Sequence, residues 1–143
     1  MIIWIGRTLV LAIHDRQLAE HGGISGVRDE GLLDSTLARP QQLQAYGDPP
    51  PDLADLAASL AFGLARNHPF GDGNKRTAHV AYRTFLLLNG AEMHASDEDK
   101  YVAMVALLYG AAIVCISLYR ITREDHDAAL RELAAARAAA PGE

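Results

Sequence analysis

The chain has one cysteine, no excess of positive charge, no internal repeat and no long low-complexity linker, and hardly any stretch alternates apolar and polar residues as a strand would. A single cysteine cannot form an intrachain disulfide. Cys115 sits in the apolar run Ile113-Val114-Cys115-Ile116, reads as a packed core thiol and suits a reducing compartment. A net charge of −5 and a pI of about 5.6 argue against general nucleic-acid binding. The start, Met1-Ile2-Ile3-Trp4-Ile5, is apolar but is interrupted by Arg7 and then by His14, Asp15 and Arg16. It lacks a basic leader and a small-residue cleavage site. The expectation is a cytoplasmic protein with no membrane span.

What is present is enough for one domain over residues 1–143, half of them apolar, with room for a sizeable core. Charge is unevenly placed. Between Arg66 and Arg83 lie Arg66, Lys75, Arg76, Arg83, His68 and His79, against one acid, Asp72. An acidic protein with one basic pocket suits a small anion such as a nucleotide better than a polyanion.

Periodicity and punctuation predict helices throughout. Residues 9–20 place Leu9, Ile13 and Leu18 among charges, and Gly22-Gly23 stops them. After a glycine-rich loop, Asp29 is a candidate N-cap for a helix over 30–38, with Pro40 marking its end. Residues 46–51 form a loop with three prolines, and Asp52 caps an alanine- and leucine-rich helix over 53–66 that reads as central. A buried helix is expected over 74–88, with Ala78, Ala81, Phe85 and Leu88 on its apolar stripe and Asn89-Gly90 closing it. Further helices are expected over 96–109 and 123–139. Asp97, Glu98 and Asp99 stand in the first turn of the former, where acids complement the helix dipole. Strand is possible only at 2–5 and 113–118. The fold class is an all-α bundle.

The stretch Asn67-His68-Pro69-Phe70-Gly71-Asp72-Gly73-Asn74-Lys75-Arg76-Thr77-Ala78 carries the chemistry. A glycine turn feeding a helix presents backbone N–H groups at its positive end, a ready anion site. Asn74 adds an amide there. Asp72 is a hard oxygen ligand suited to Mg²⁺ shared with substrate phosphates. Lys75 and Arg76 stand in the first helical turn, where cations oppose the dipole unless an anion compensates them. His68, upstream on the loop, is a candidate general base. Phe70 reads as a core anchor and Pro69 as a stiffener.

The segment resembles the signature of the Fic/Doc superfamily, and in particular its death-on-curing (Doc) branch. Fic proteins carry a pattern of the form H-x-F-x-(D/E)-G-N-G-R-x-x-R. His68, Phe70, Asp72, Gly73, Asn74 and Arg76 match it, Lys75 stands in place of the second glycine and His79 in place of the last arginine. The lysine followed by Thr77-Ala78 is similar to the Doc branch. So are His14-Asp15, Gly22-Gly23 and the run from Gly26 to Ser35, and the resemblance spans about residues 9–135.

The resemblance implies a compact helical bundle with the active-site loop at the start of a central helix. It implies transfer of the γ-phosphate of ATP to a threonine hydroxyl of a target such as elongation factor Tu, by a toxin of a type II toxin–antitoxin pair. His68 would deprotonate the threonine and Asp72 would hold Mg²⁺. Gly73, Asn74, Lys75 and Arg76 would bind phosphates, Lys75 also offsetting developing charge, and Arg66 would assist. His79 would touch nucleotide or lie on the helix surface; Arg28 and Asp29 would form a target-docking flap or cap a helix. The self-inhibitory pattern (S/T)-x-x-x-E-(G/N) is absent, because Glu30-Gly31 is preceded by Gly26 at the required position. Restraint is therefore expected in trans, from the disordered tail of an antitoxin. Two other readings stay open: AMP transfer of the Fic type, which Lys75 and His79 disfavour, and a catalytically silent nucleotide- or antitoxin-binding module.

Overall fold

A computed structural model describes residues 1–91 of the chain. The helices expected over 96–109 and 123–139, the acids at 97–99, the possible strand at 113–118 and Cys115 lie outside the described residues. Within them the fold is four helices and no strand: α1 (Arg7–His21), α2 (Glu30–Tyr46), α3 (Leu53–Asn67) and α4 (Asn74–Leu88). None is long and apolar enough to cross a membrane; the uncharged run 101–119 lies beyond them.

The central position falls to α3, packed on α2 and α4, with α1 against α4. Its burial runs around most of its circumference, through Ala54, Leu56, Ala57, Ala58, Leu60, Ala61, Gly63 and Leu64, as expected of a helix enclosed by others. Each buried leucine contributes roughly 1.5–3 kcal/mol. Small residues let the neighbours approach. A Cβ on Gly63 would come within 2.8 Å of Thr36 Cγ2 on α2, so the α2–α3 crossing needs glycine there. At the end of α3, Asn67 Nδ2 donates to Thr36 Oγ1 over 2.9 Å and ties the same helices again.

Two helix starts match their expected caps. The Asp29 carboxylate accepts from Leu32 N at the head of α2. Asp52 and Asp55 form a reciprocal capping box at the head of α3. The end of α2 is corrected. Pro40 does not stop the helix, which continues to Tyr46 with Pro40 buried inside it. The missing N–H removes one bond to the preceding turn; burial of Pro40, and packing of Leu43 one turn on against the core, offset that loss.

On α4 the stripe is Ala78, Ala81, Tyr82, Phe85 and Leu86, whereas Leu88 is exposed. Residues 2–5 form no strand. Asn89 clips them instead, its Oδ1 accepting from Ile3 N and its Nδ2 donating to Ile3 O. A side-chain amide thus satisfies the backbone groups that a neighbouring strand would have paired. Trp4 then stacks on Phe85 at 5.9 Å between ring centroids.

Candidate active site

Residues 68–73 join the end of α3 to the start of α4, and both helix ends are unusual. At the C-cap of α3, His68 is left-handed, with φ 49° and ψ 57°. It is the one non-glycine residue with positive φ among those described, a conformation that costs a residue bearing a Cβ about 1–2 kcal/mol. Its side chain is exposed. At the N-cap of α4, Gly73 is also left-handed and no side chain caps the helix. The backbone N–H groups of Asn74, Lys75 and Arg76 stand at this uncapped positive end, with two cations and no acid in the first turn.

Buried backbone bonds set the loop's shape. Phe70 is 1% exposed and forms an isolated antiparallel bridge with Val27, in the glycine-rich segment before α2. The bridge is held by its flanking groups: Arg28 N donates to Pro69 O and Gly71 N donates to Gly26 O. Phe70's own N–H and C=O point the other way and both meet the Asn74 side chain, at 2.9 and 3.0 Å. The amide expected at the phosphates is therefore committed to holding the loop.

His14 secures the far side of the loop. It is buried on α1, its ring stacked on Phe70 at 3.9 Å and 13°, and its Nε2 donates to the Asp72 carbonyl over 3.0 Å. Because a carbonyl only accepts, Nε2 carries the proton. Asp72 Oδ1 accepts from Gly73 N, and Oδ2 lies 4.0 Å from Arg76 Nη2, which itself donates to Gly22 O. This carboxylate rests against Gly23, where an added Cβ would sit 2.6 Å from Oδ2.

His68, Asp72, Gly73, Asn74, Lys75 and Arg76 are thus gathered on one loop and one helical turn. Arg66 lies exposed in the last turn of α3, with no hydrogen bond to the loop among the described residues. His79 is only partly at the surface. It is half-buried and edge-on to Tyr82, its Nε2 has no partner among the described residues, and burial, reinforced by Arg83, lowers its pKa. Asp29 caps α2, whereas Arg28 reaches across to the loop, its Nε donating to His68 O and its Nη2 to Asn67 O. Residue chemistry alone did not single out the contacts of His14 and Arg28. The signal for His14 was its place on the Val10–Ile13 face of α1, where a polar residue needs a buried partner.

As a metal site the loop offers one carboxylate. Among the described residues no three His, Cys, Asp or Glu side chains converge to hold an ion alone. That donor set fits Mg²⁺, which keeps waters and substrate phosphates in its shell.

The Fic/DOC family model matches residues 4–86, from the clipped N-terminal segment to the last turn of α4. The chain belongs to the Fic/Doc family. Among curated Fic/Doc relatives it is 53% identical over 78 residues to the protein named Toxin Doc from Mycolicibacterium smegmatis, covering 54% of this chain and 59% of that one. It is 34% identical over 109 residues to Protein kinase doc of Escherichia phage P1, covering 76% of this chain and 82% of that one. The match thus spans about three fifths of the length of the mycobacterial relative and four fifths of the phage one.

Proposed function

We propose that this Fic/Doc protein is a protein kinase of the Doc type, moving the γ-phosphate of ATP to a threonine hydroxyl of a target protein. The observation that carries the reading is the start of α4: a left-handed glycine, no side-chain cap, and Lys75 and Arg76 facing the helix's own positive end. Such an end is a ready site for an anion, which would also offset the two cations. The identity to a relative named a protein kinase, over most of that relative's length, supports the choice of reaction.

In this reading the exposed His68 accepts the threonine proton as the hydroxyl oxygen attacks the γ-phosphorus. The bond from phosphorus to the bridging oxygen breaks, and ADP leaves. The backbone N–H groups at the start of α4 cradle phosphate oxygens, and Lys75 and Arg76 offset the charge spread over them. Positioning and electrostatics supply most of the acceleration in phosphoryl transfer. Asp72 holds Mg²⁺, which when bound neutralises phosphate charge. Arg66, exposed at the edge of the loop, assists with the distal phosphates. The chain then acts in the cytoplasm as the toxin of a toxin–antitoxin pair. It blocks translation through a target such as elongation factor Tu and is restrained by an antitoxin tail bound in trans.

The test is label transfer to elongation factor Tu with Mg²⁺, comparing ATP labelled at the γ- or the α-phosphate. Label from the γ position alone, reduced about 10²–10⁴-fold in His68→Ala, is the expected result. Label from the α position would replace kinase with AMP transfer. Silence from both, on purified factor and in whole lysate, would leave a binding module.

A further inference from the structure

One residue outside the motif takes three consecutive carbonyls of the segment that carries the base. Arg28 Nη2 donates to Asn67 O at 3.1 Å, Nε to His68 O at 2.9 Å, and the Arg28 backbone N–H to Pro69 O at 2.7 Å. The first two belong to the end of α3, where carbonyls lack helical partners and the dipole is negative, so a cation fits on both counts. The third anchors the guanidinium's own backbone beside the turn. Between these contacts sits His68, in a left-handed conformation that a residue with a Cβ adopts only when its surroundings impose it.

We propose that Arg28 is a positioning residue that holds His68 in its left-handed conformation and so sets where the imidazole stands; the catalytic consequence rests on the phosphoryl-transfer reading. Releasing His68 to the extended region that the following Pro69 favours would swing its carbonyl away from Nε, breaking the fork. Neighbouring N–H groups on one edge of a planar guanidinium match adjacent carbonyls, and an ammonium has no such edge. The loop beyond has separate fastenings, Asn74 on Phe70 and His14 on Asp72. Loss of Arg28 therefore moves the base and leaves the phosphate-facing turn in place. Arg28 is exposed and outside the core, so its variants retain the helical packing.

The test uses the full chain as Arg28→Ala and Arg28→Lys, with thermal melts to verify folding. Its first readout needs no activity: the Cα chemical shift of His68 and its amide-to-Hα coupling, which report backbone φ and ψ. The wild type should show left-handed values, and both variants should lose or average them. A left-handed His68 in Arg28→Ala overturns the proposal, whatever the assay gives. So does restoration of the wild-type signature by lysine, which would reduce Arg28 to a diffuse charge. The second readout is kcat against KM: kcat should fall roughly 10- to 100-fold, in line with the penalty for a misplaced catalytic group, while KM for ATP stays put. A rise in KM alone would also overturn it. If the wild type transfers no label, the kinase reading fails, and the backbone signature still decides the role of Arg28.

Discussion

Two helix starts in this molecule are built in opposite ways. At α3, Asp52 and Asp55 cap each other's backbone, the acid lies in the first turn where the dipole favours it, and every local preference is met. At α4 there is a left-handed glycine, no side-chain cap and a cationic first turn. The first arrangement is what a helix needs to be stable; the second forgoes that stability and leaves its donors open. The start of α1 also lacks a side-chain cap and a first-turn acid, but its cation Arg7 is paired with Glu30 and Asp34; α4 combines an uncapped end with two cations in its first turn, the arrangement an anion would compensate.

The contrast can be broken from either side. The largest effect is expected from Lys75→Glu, which gives α4 the acidic first turn that α3 has. Label transfer should fall about 10²–10³-fold, as when one charge-stabilising group is removed from a transition state. The melting temperature should hold or rise, since an acid at that position is worth about 0.3–1 kcal/mol. A protein that melts earlier but still transfers phosphate would show the cations to be structural. Next comes Asn74→Ala, which orphans the buried N–H and C=O of Phe70. Urea unfolding should reveal a loss of about 1–3 kcal/mol for each abandoned group, accompanied by lost activity. An unchanged unfolding midpoint would mean that water replaces the amide. The smallest effect belongs to Asp52→Ala, which removes a cap at α3. It should destabilise by about 1 kcal/mol with specific activity of the folded fraction intact. Impaired turnover there would erase the division between the two helix starts.

How much of this was legible in the sequence follows the range of the interactions. Asp29 and Asp52 were readable as caps because a cap acts within three residues, and the limits of α3 and α4 followed from their flanking punctuation. At Pro40 local chemistry argues for a stop, while the burial of its ring within α2 is a tertiary fact. Leu88 was assigned to the buried stripe by period alone; the helix turns it outward. The motif marked the loop and its candidate side chains. Pattern did not reveal that Asn74 faces Phe70 rather than a ligand, nor that His14 and Arg28 clamp the loop from far along the chain. Those bonds depend on how α1 and the segment before α2 lie against it.

The close crossing at Gly63 carries a lesson about which sequences this fold admits. An alanine at 63 alone collides with Thr36 Cγ2, while Thr36 Cβ and Oγ1 lie at a tolerable 3.4 Å. Serine at 36 removes the colliding methyl and keeps the hydroxyl that Asn67 needs. Alanine at 63 is therefore unfavourable beside threonine and acceptable beside serine. The dependence runs one way across two helices: alanine at 63 requires serine at 36, whereas serine at 36 is compatible with glycine at 63, so along a lineage the serine would come first.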